Sequence, residues 1–275
     1  MRLRPLALLA SLVFLVGAGC DPTATIGFRS PFEFGNQTSQ AAAYQLETAP
    51  GMRLVVRPSA FGTGILNELI GQDAGVKDVT VKEFTSDRVV LGWQERTDSA
   101  TATPRTGTVE ATKLENAHNA VPPGLWKPGS SAVESEGLLW LSSGAYAELT
   151  ATGATEWGVT SLDGGALSTA QKTLQNIEHT VERFLPSATS TSPFVVRKLN
   201  DVPAYPLRVN GKMESVEAVR VAGFLAEYIV LKNPDAPLIL KMTAQPAAYG
   251  ALAALKPLGL DPDAFGYEVS EVKTK

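Results

Sequence analysis

Cysteine is nearly absent from this 275-residue chain. With Cys20 alone, no disulfide can form within it, so the fold has to rest on its apolar core. Histidine is almost as scarce, with only His118 and His179. Metal centres need clustered imidazoles, thiolates or carboxylates, and the chain has no H-E-x-x-H, no cysteine pair and no EF-hand loop. No metal is therefore expected. G-x-S-x-G and the P-loop pattern are also missing, and Phe61-Gly62-Thr63-Gly64 lacks the third glycine of a dinucleotide fingerprint. No cofactor is expected either. Positive charge is sparse: the formal net charge is −4, with no basic run and no arginine–aromatic interleaving after residue 20. A diffusely acidic body repels phosphate backbones, which argues against nucleic acid as a partner.

Apolar and turn-forming residues are plentiful. Hydrophobic side chains make up 44% of the chain, and 24 glycines and 18 prolines suit many turns between short strands. Alternation marks strands at 52–57, 76–84 and 87–94. In the latter two, Val79 and Val81, then Val89, Leu91 and Trp93, fall on one face across a short polar turn. RTGTVEATK returns as a weaker strand, and 116–136, rich in Pro and Gly, reads as irregular. LLWLS (138–142) reads as a buried strand and TEWGVT as another. Asn210-Gly211 is the pair best suited to a tight hairpin turn, inside a meander built from FVVRKL, PLRV, KMESVEAVRVA, AEYIVLK and PLILKM. Asn233-Pro234-Asp235 turns between the last two of these, and GYEVSEV (266–272) is the closing strand.

Helical spacing is clearest at 169–185, where Ser168 and Gln171 form a capping box ahead of Leu174, Ile177, Val181 and Phe184. Shorter helices are expected near 144–152, with Ser143 as N-cap and Gly153 as stop, and near 246–255. The fold class is α+β, mainly antiparallel hairpins and meander. Residues 20–50 read as a tether, with Phe28, Phe32 and Phe34 pinning it to a β-rich body over 51–275. SATSTSP at 187–193 is a possible subdivision.

The first twenty residues have their own chemistry. Arg2 and Arg4 precede the uncharged apolar stretch Leu6 to Val16, too short to span a bilayer comfortably, and Gly17-Ala18-Gly19-Cys20 follows. This segment resembles the lipobox of bacterial lipoproteins, although Gly17 stands where that pattern usually has an aliphatic residue. The resemblance implies removal of 1–19 as a signal peptide and acylation of Cys20. It places the chain outside the cytoplasm, anchored to one membrane of the cell envelope through its acyl chains. Asp21 after the cysteine does not decide which membrane.

Candidate site residues are few. His118, in a loop, has the residue type of a general base but no nucleophile motif beside it. Glu134 and Glu136 are near enough in sequence to form a carboxylate pair. Asp261-Pro262-Asp263 reads as a turn. Of the tryptophans, Trp93 and Trp140 belong in the core, while Trp126, in PPGLWKPG, is the one expected at the surface against a ligand. No catalytic residue is assigned. The expected role is a non-catalytic envelope module that binds a protein, glycan or lipid, or supports an assembly. A hydrolase with an unfamiliar site and a lipid-carrying half-barrel are the alternatives.

Overall fold

Strand alternation sets the architecture of this computed structural model, which describes residues 43–59, 75–97, 101–160, 162, 194–245 and 265–275. These belong to one compact unit, Ala42–Lys275. The first-half strands are β1 (Arg53–Pro58), β2 (Lys77–Phe84), β3 (Arg88–Glu95), β4 (Thr106–Thr112), β5 (Asn119–Ala120) and β6 (Gly129–Glu134). Helix α1 (Ser143–Thr152) and the short strands β7 (Ala154–Glu156) and β8 (Gly158–Val159) follow. The second half holds β9 (Val195–Val209), β10 (Lys212–Ala222), β11 (Ala226–Leu231), β12 (Ile239–Ala244) and β13 (Tyr267–Lys273).

Eleven strands form one sheet in the order β6-β4-β3-β2-β1-β13-β12-β11-β10-β9-β7. Its pairings are antiparallel except β4 with β6 and β13 with β9. β13 is the hub. One edge pairs with β1 from Tyr267 to Lys273, while the other is shared between β12, at Tyr267 and Glu268, and β9, at Glu271 and Val272. The pairings β13–β12–β11–β10–β9–β13 thus run round in a ring whose seam is β13–β9, and β1, β2, β3, β4 and β6 fan out from the other edge of β13. Closure removes exposed strand edges from that half.

The expected hairpin faces hold in register. Leu54, Val79 and Trp93 form one inward row, and Val81, Leu91 and Val109 the next. Each of these six side chains is at most 4% exposed. Trp93 lies so closely over Gly107 that a Cβ there would sit 2.8 Å from its indole, so β4 needs glycine at that point. Residues 43–50 pack with the body: Leu46 is in the core, and the Tyr44 N–H donates to the Ser215 carbonyl.

Asn210 (φ 49°) and Gly211 (φ 81°) both occupy the left-handed region, as a two-residue type I′ turn requires. Asn210 serves the seam as well: its Nδ2 donates to Thr274 Oγ1 at 2.8 Å, and the Thr274 N–H donates back to its Oδ1 at 3.0 Å. Gly211→Ala adds a Cβ to a left-handed residue and should lower unfolding free energy by about 1–2 kcal/mol, read from urea titrations.

Three expectations need correction. LLWLS is not a strand: Leu138–Ser142 is buried chain bent at Leu138 and Leu139, tied to the start of β12 and the residues before it by the Trp140–Leu238 bridge, the Leu141 N–H donating to the Pro237 carbonyl and the Ile239 N–H donating to the Leu139 carbonyl. Its apolar run reflects burial on several sides rather than sheet pairing. Residues 116–136 are not simply irregular, since they hold β5, β6 and a 3-10 turn at Pro123–Leu125. The N-cap of α1 is Ser142, not Ser143. Ser142 Oγ accepts from the Ala145 N–H at 3.1 Å and donates to the Ala117 carbonyl at 2.8 Å, so it caps the helix and ties down the preceding loop. Gly153, at φ 78°, ends the helix as expected. The helices expected at 169–185 and 246–255, the tether up to residue 42 and the segment 187–193 lie outside the described residues.

Candidate binding groove

The outward faces of the fan make a groove of about 940 Å³. Alternation puts polar side chains there because the intervening residues are committed to the core. One cross-strand row runs Arg53, Thr80, Gly92, Thr108, Ser130 over five neighbouring strands. The adjacent row runs Val55, Asp78, Gln94, Thr106. Short side chains and Gly92 keep the middle shallow, and Val55, only 4% exposed, gives it an apolar base.

Lys82 is the extra residue of a bulge between β2 and β3, where Val81 and Glu83 pair with consecutive residues of β3. The bulge frees its side chain to cross the sheet. It passes over Gly92, occupying the space a Cβ would need, and its Nζ donates to Thr108 Oγ1 at 3.0 Å. Arg96 clamps Asp78 with two bonds, of 2.9 and 2.7 Å. That clamp, with help from the charges of Lys273 and Arg53, holds the Asp78 carboxyl below the usual carboxylate range. Asp78 is thus a fixed anion rather than a proton donor. Four cations face it in the lining: Arg53, Lys82, Arg96 and Lys273. Glu271 answers Lys273 from one side at 3.6 Å.

The residues singled out from sequence lie elsewhere. Trp126 is 3% exposed, against the expectation of a surface residue. The Pro123–Leu125 turn folds the loop back, and the Trp126 indole N–H donates to the Val121 carbonyl at 3.0 Å. Trp93 and Trp140 are core residues, as read from their apolar strings. His118 is exposed, with Nδ1 3.4 Å from the Glu156 carbonyl, and it does not line the groove.

Glu134 and Glu136 are parted by the chain itself. Ser135, at φ 58°, turns left-handed immediately after β6. Glu134 stays outside and pairs with Lys113. Glu136 goes inward, where burial pushes its carboxyl up to about 7 despite a hydrogen bond from Asn119. Its Oε2 is buried without a partner among the described residues. Among the described residues, no second carboxylate contributes to that shift.

A second charged cluster sits on the inward side of β2. Lys77, 5% exposed, lies 3.2 Å from Glu95 and 5.5 Å from the Trp93 ring centre. Burial pulls its amine below the ordinary lysine range, while Glu95 opposes the shift and also holds Arg105 at 2.7 Å. Every charge in this cluster has an ion partner, which marks it as a lock between strand ends.

Sequence reading missed the groove. Its signal was the polar half of each alternating strand, which announces exposure but not concavity or the register that aligns Arg53 with Thr80 and Thr108. No family model, curated protein or solved structure matches this chain.

Proposed function

We propose that this chain is a lipid-anchored envelope protein whose β-body is a non-catalytic binding module working through the outer-face groove. The observation that carries the binding half is the groove lining. Asp78 is locked by Arg96 among three further cations, and hydroxyls and an amide stand between the charged side chains. Such a surface offers complementary charge and hydrogen-bond contacts to a polar ligand.

The anchoring half rests on Arg2 to Cys20 as sequence. Each acyl methylene buried in a bilayer contributes about 0.8 kcal/mol, so two or more chains on Cys20 hold the body at a membrane without a transmembrane helix. Growth with an alkyne fatty acid should label the wild-type chain, and Cys20→Ser should abolish the label and move the protein into the soluble fraction. An unmodified thiol at Cys20 in native material, or a mature terminus elsewhere, overturns the anchor.

The hydrolase reading has one observation in its favour, the near-neutral carboxyl of Glu136. Against it, Glu134 is turned away to Lys113, and the hydrogen-bond partner of His118 among the described residues is the Glu156 backbone carbonyl. The lipid-carrying reading asks for a large apolar hollow. Among the described residues, the partly apolar pocket between Phe84 and Trp140 holds about 160 Å³, below the roughly 300 Å³ at which ligand pockets begin.

A further inference from the structure

The geometry points to an acidic polysaccharide as the ligand of this groove, an inference that rests on the binding-module reading above and names its ligand class. Three features select that chemistry. The first is charge: four cations and one clamped carboxylate line a hollow on a chain whose formal net charge is −4. Local potential of that sign concentrates anions against the background of an acidic protein. Arg53 is exposed, and its planar guanidinium suits a carboxylate held by two parallel bonds.

The second feature is what stands between the cations. Thr80, Thr106, Thr108, Ser130 and Gln94 give donors and acceptors on the same face, matched to a chain of sugar hydroxyls. A glycerol phosphate polymer carries one free hydroxyl per unit against two for a linked uronate, so it uses that mixed set less fully. Nucleic acid would also want an aromatic platform for its bases, and the one aromatic of the lining among the described residues, Trp93, is buried against Gly107.

The third feature is length. The row from Arg53 to Ser130 crosses four strand spacings, about 19 Å at ~4.8 Å each. The Lys82 side chain bridges Gly92 to Thr108, so an extended chain laid across the strands meets Arg53 at one end and the Lys82 amine at the centre. A compact ligand would use one end of such a trough and leave the rest wet.

The test is calorimetric titration of the full chain in non-ionic detergent with hexagalacturonate, its carboxyl-reduced neutral hexamer, and a hexamer of poly(glycerol phosphate). Hexagalacturonate should bind, weaken as salt rises, and lose about ten- to a hundredfold in affinity in the Arg53→Gln, Lys82→Gln double variant. Lys212→Gln, at the Asn210 hairpin, should bind as wild type. Thr108→Tyr, which fills the trough without touching the core, should abolish binding while circular dichroism stays unchanged. If the neutral hexamer binds as well as the acid, or the phosphate hexamer binds and the uronate does not, the acidic-glycan inference is overturned. In that case sensitivity to Thr108→Tyr still upholds the groove. Should no probe bind in a way that Thr108→Tyr alters, both the ligand class and the groove reading fall.

Discussion

Trp126→Ala should cost about 3–5 kcal/mol of folding stability and leave ligand binding at the groove unchanged. The side chain is 3% exposed and belongs to the central apolar cluster, so truncation removes the largest kind of side chain from a site that can collapse only in part. It also removes a hydrogen bond. The indole nitrogens of Trp93, Trp140 and Trp157 are buried without a partner among the described residues, whereas Trp126 Nε1 donates to Val121 at 3.0 Å. Losing that donor leaves a carbonyl short of a partner inside a loop already bent by Pro122 and Pro123. Trp126→Phe separates the two effects: it keeps most of the volume, loses the donor, and should cost roughly 1–3 kcal/mol. Urea unfolding followed by far-ultraviolet circular dichroism measures both. A Trp126→Ala protein as stable as wild type, but defective in binding, would return this residue to the surface role its loop suggested.

That contrast shows what was legible in the sequence. Where one strand face meets the core and the other meets water, alternation says so directly: Val79, Val81, Leu91 and Trp93 fell on the face they occupy. Turn chemistry was as plain, because Asn-Gly is close to obligatory where two consecutive residues take positive φ. β6 carries no such signal. GSSAVE is an edge strand paired in parallel with β4, half exposed and lacking an apolar run, so composition marks it as loop. Leu138–Ser142 errs the other way, apolar because buried, yet bent and without a ladder. The seam between β13 and β9 joins segments more than sixty residues apart, and no local pattern encodes that closure. Trp126 was misread for a related reason: Pro and Gly identify a loop but not whether it lies flat on the core. The groove is the least legible of all. Its residues are ordinary polar alternation, and only the register of five strands, with a bulge at Lys82 and no side chain at Gly92, makes them one surface.

Glu136→Gln should stabilise the protein at pH 8 and make little difference at pH 4. Burial raises the folded-state carboxyl from 4.5 to about 7. Below the unfolded value both states carry the proton, and Glu and Gln are nearly equivalent. As pH climbs from there to about 7, the unfolded chain releases the proton and the folded chain retains it, so the unfolded state binds fewer protons and stability falls. Above about 7 the penalty is constant. Glutamine never ionises and keeps an acceptor for Asn119, so its advantage grows through that window and then levels off. Part of the carboxyl still meets water, which reduces the full linkage value to about 1–2 kcal/mol. For a body of this size that is roughly 2–8 °C in Tm. Thermal unfolding of both proteins across the pH range should show two curves that coincide in acid and separate above it. Curves offset by the same amount at every pH would mean that the carboxyl ionises alike in both states. Loss of a hydrolytic activity in Glu136→Gln, with stability gained on this schedule, would revive the catalytic reading, because a carboxylic acid still protonated near neutrality, with one oxygen unpaired, is what general-acid chemistry needs.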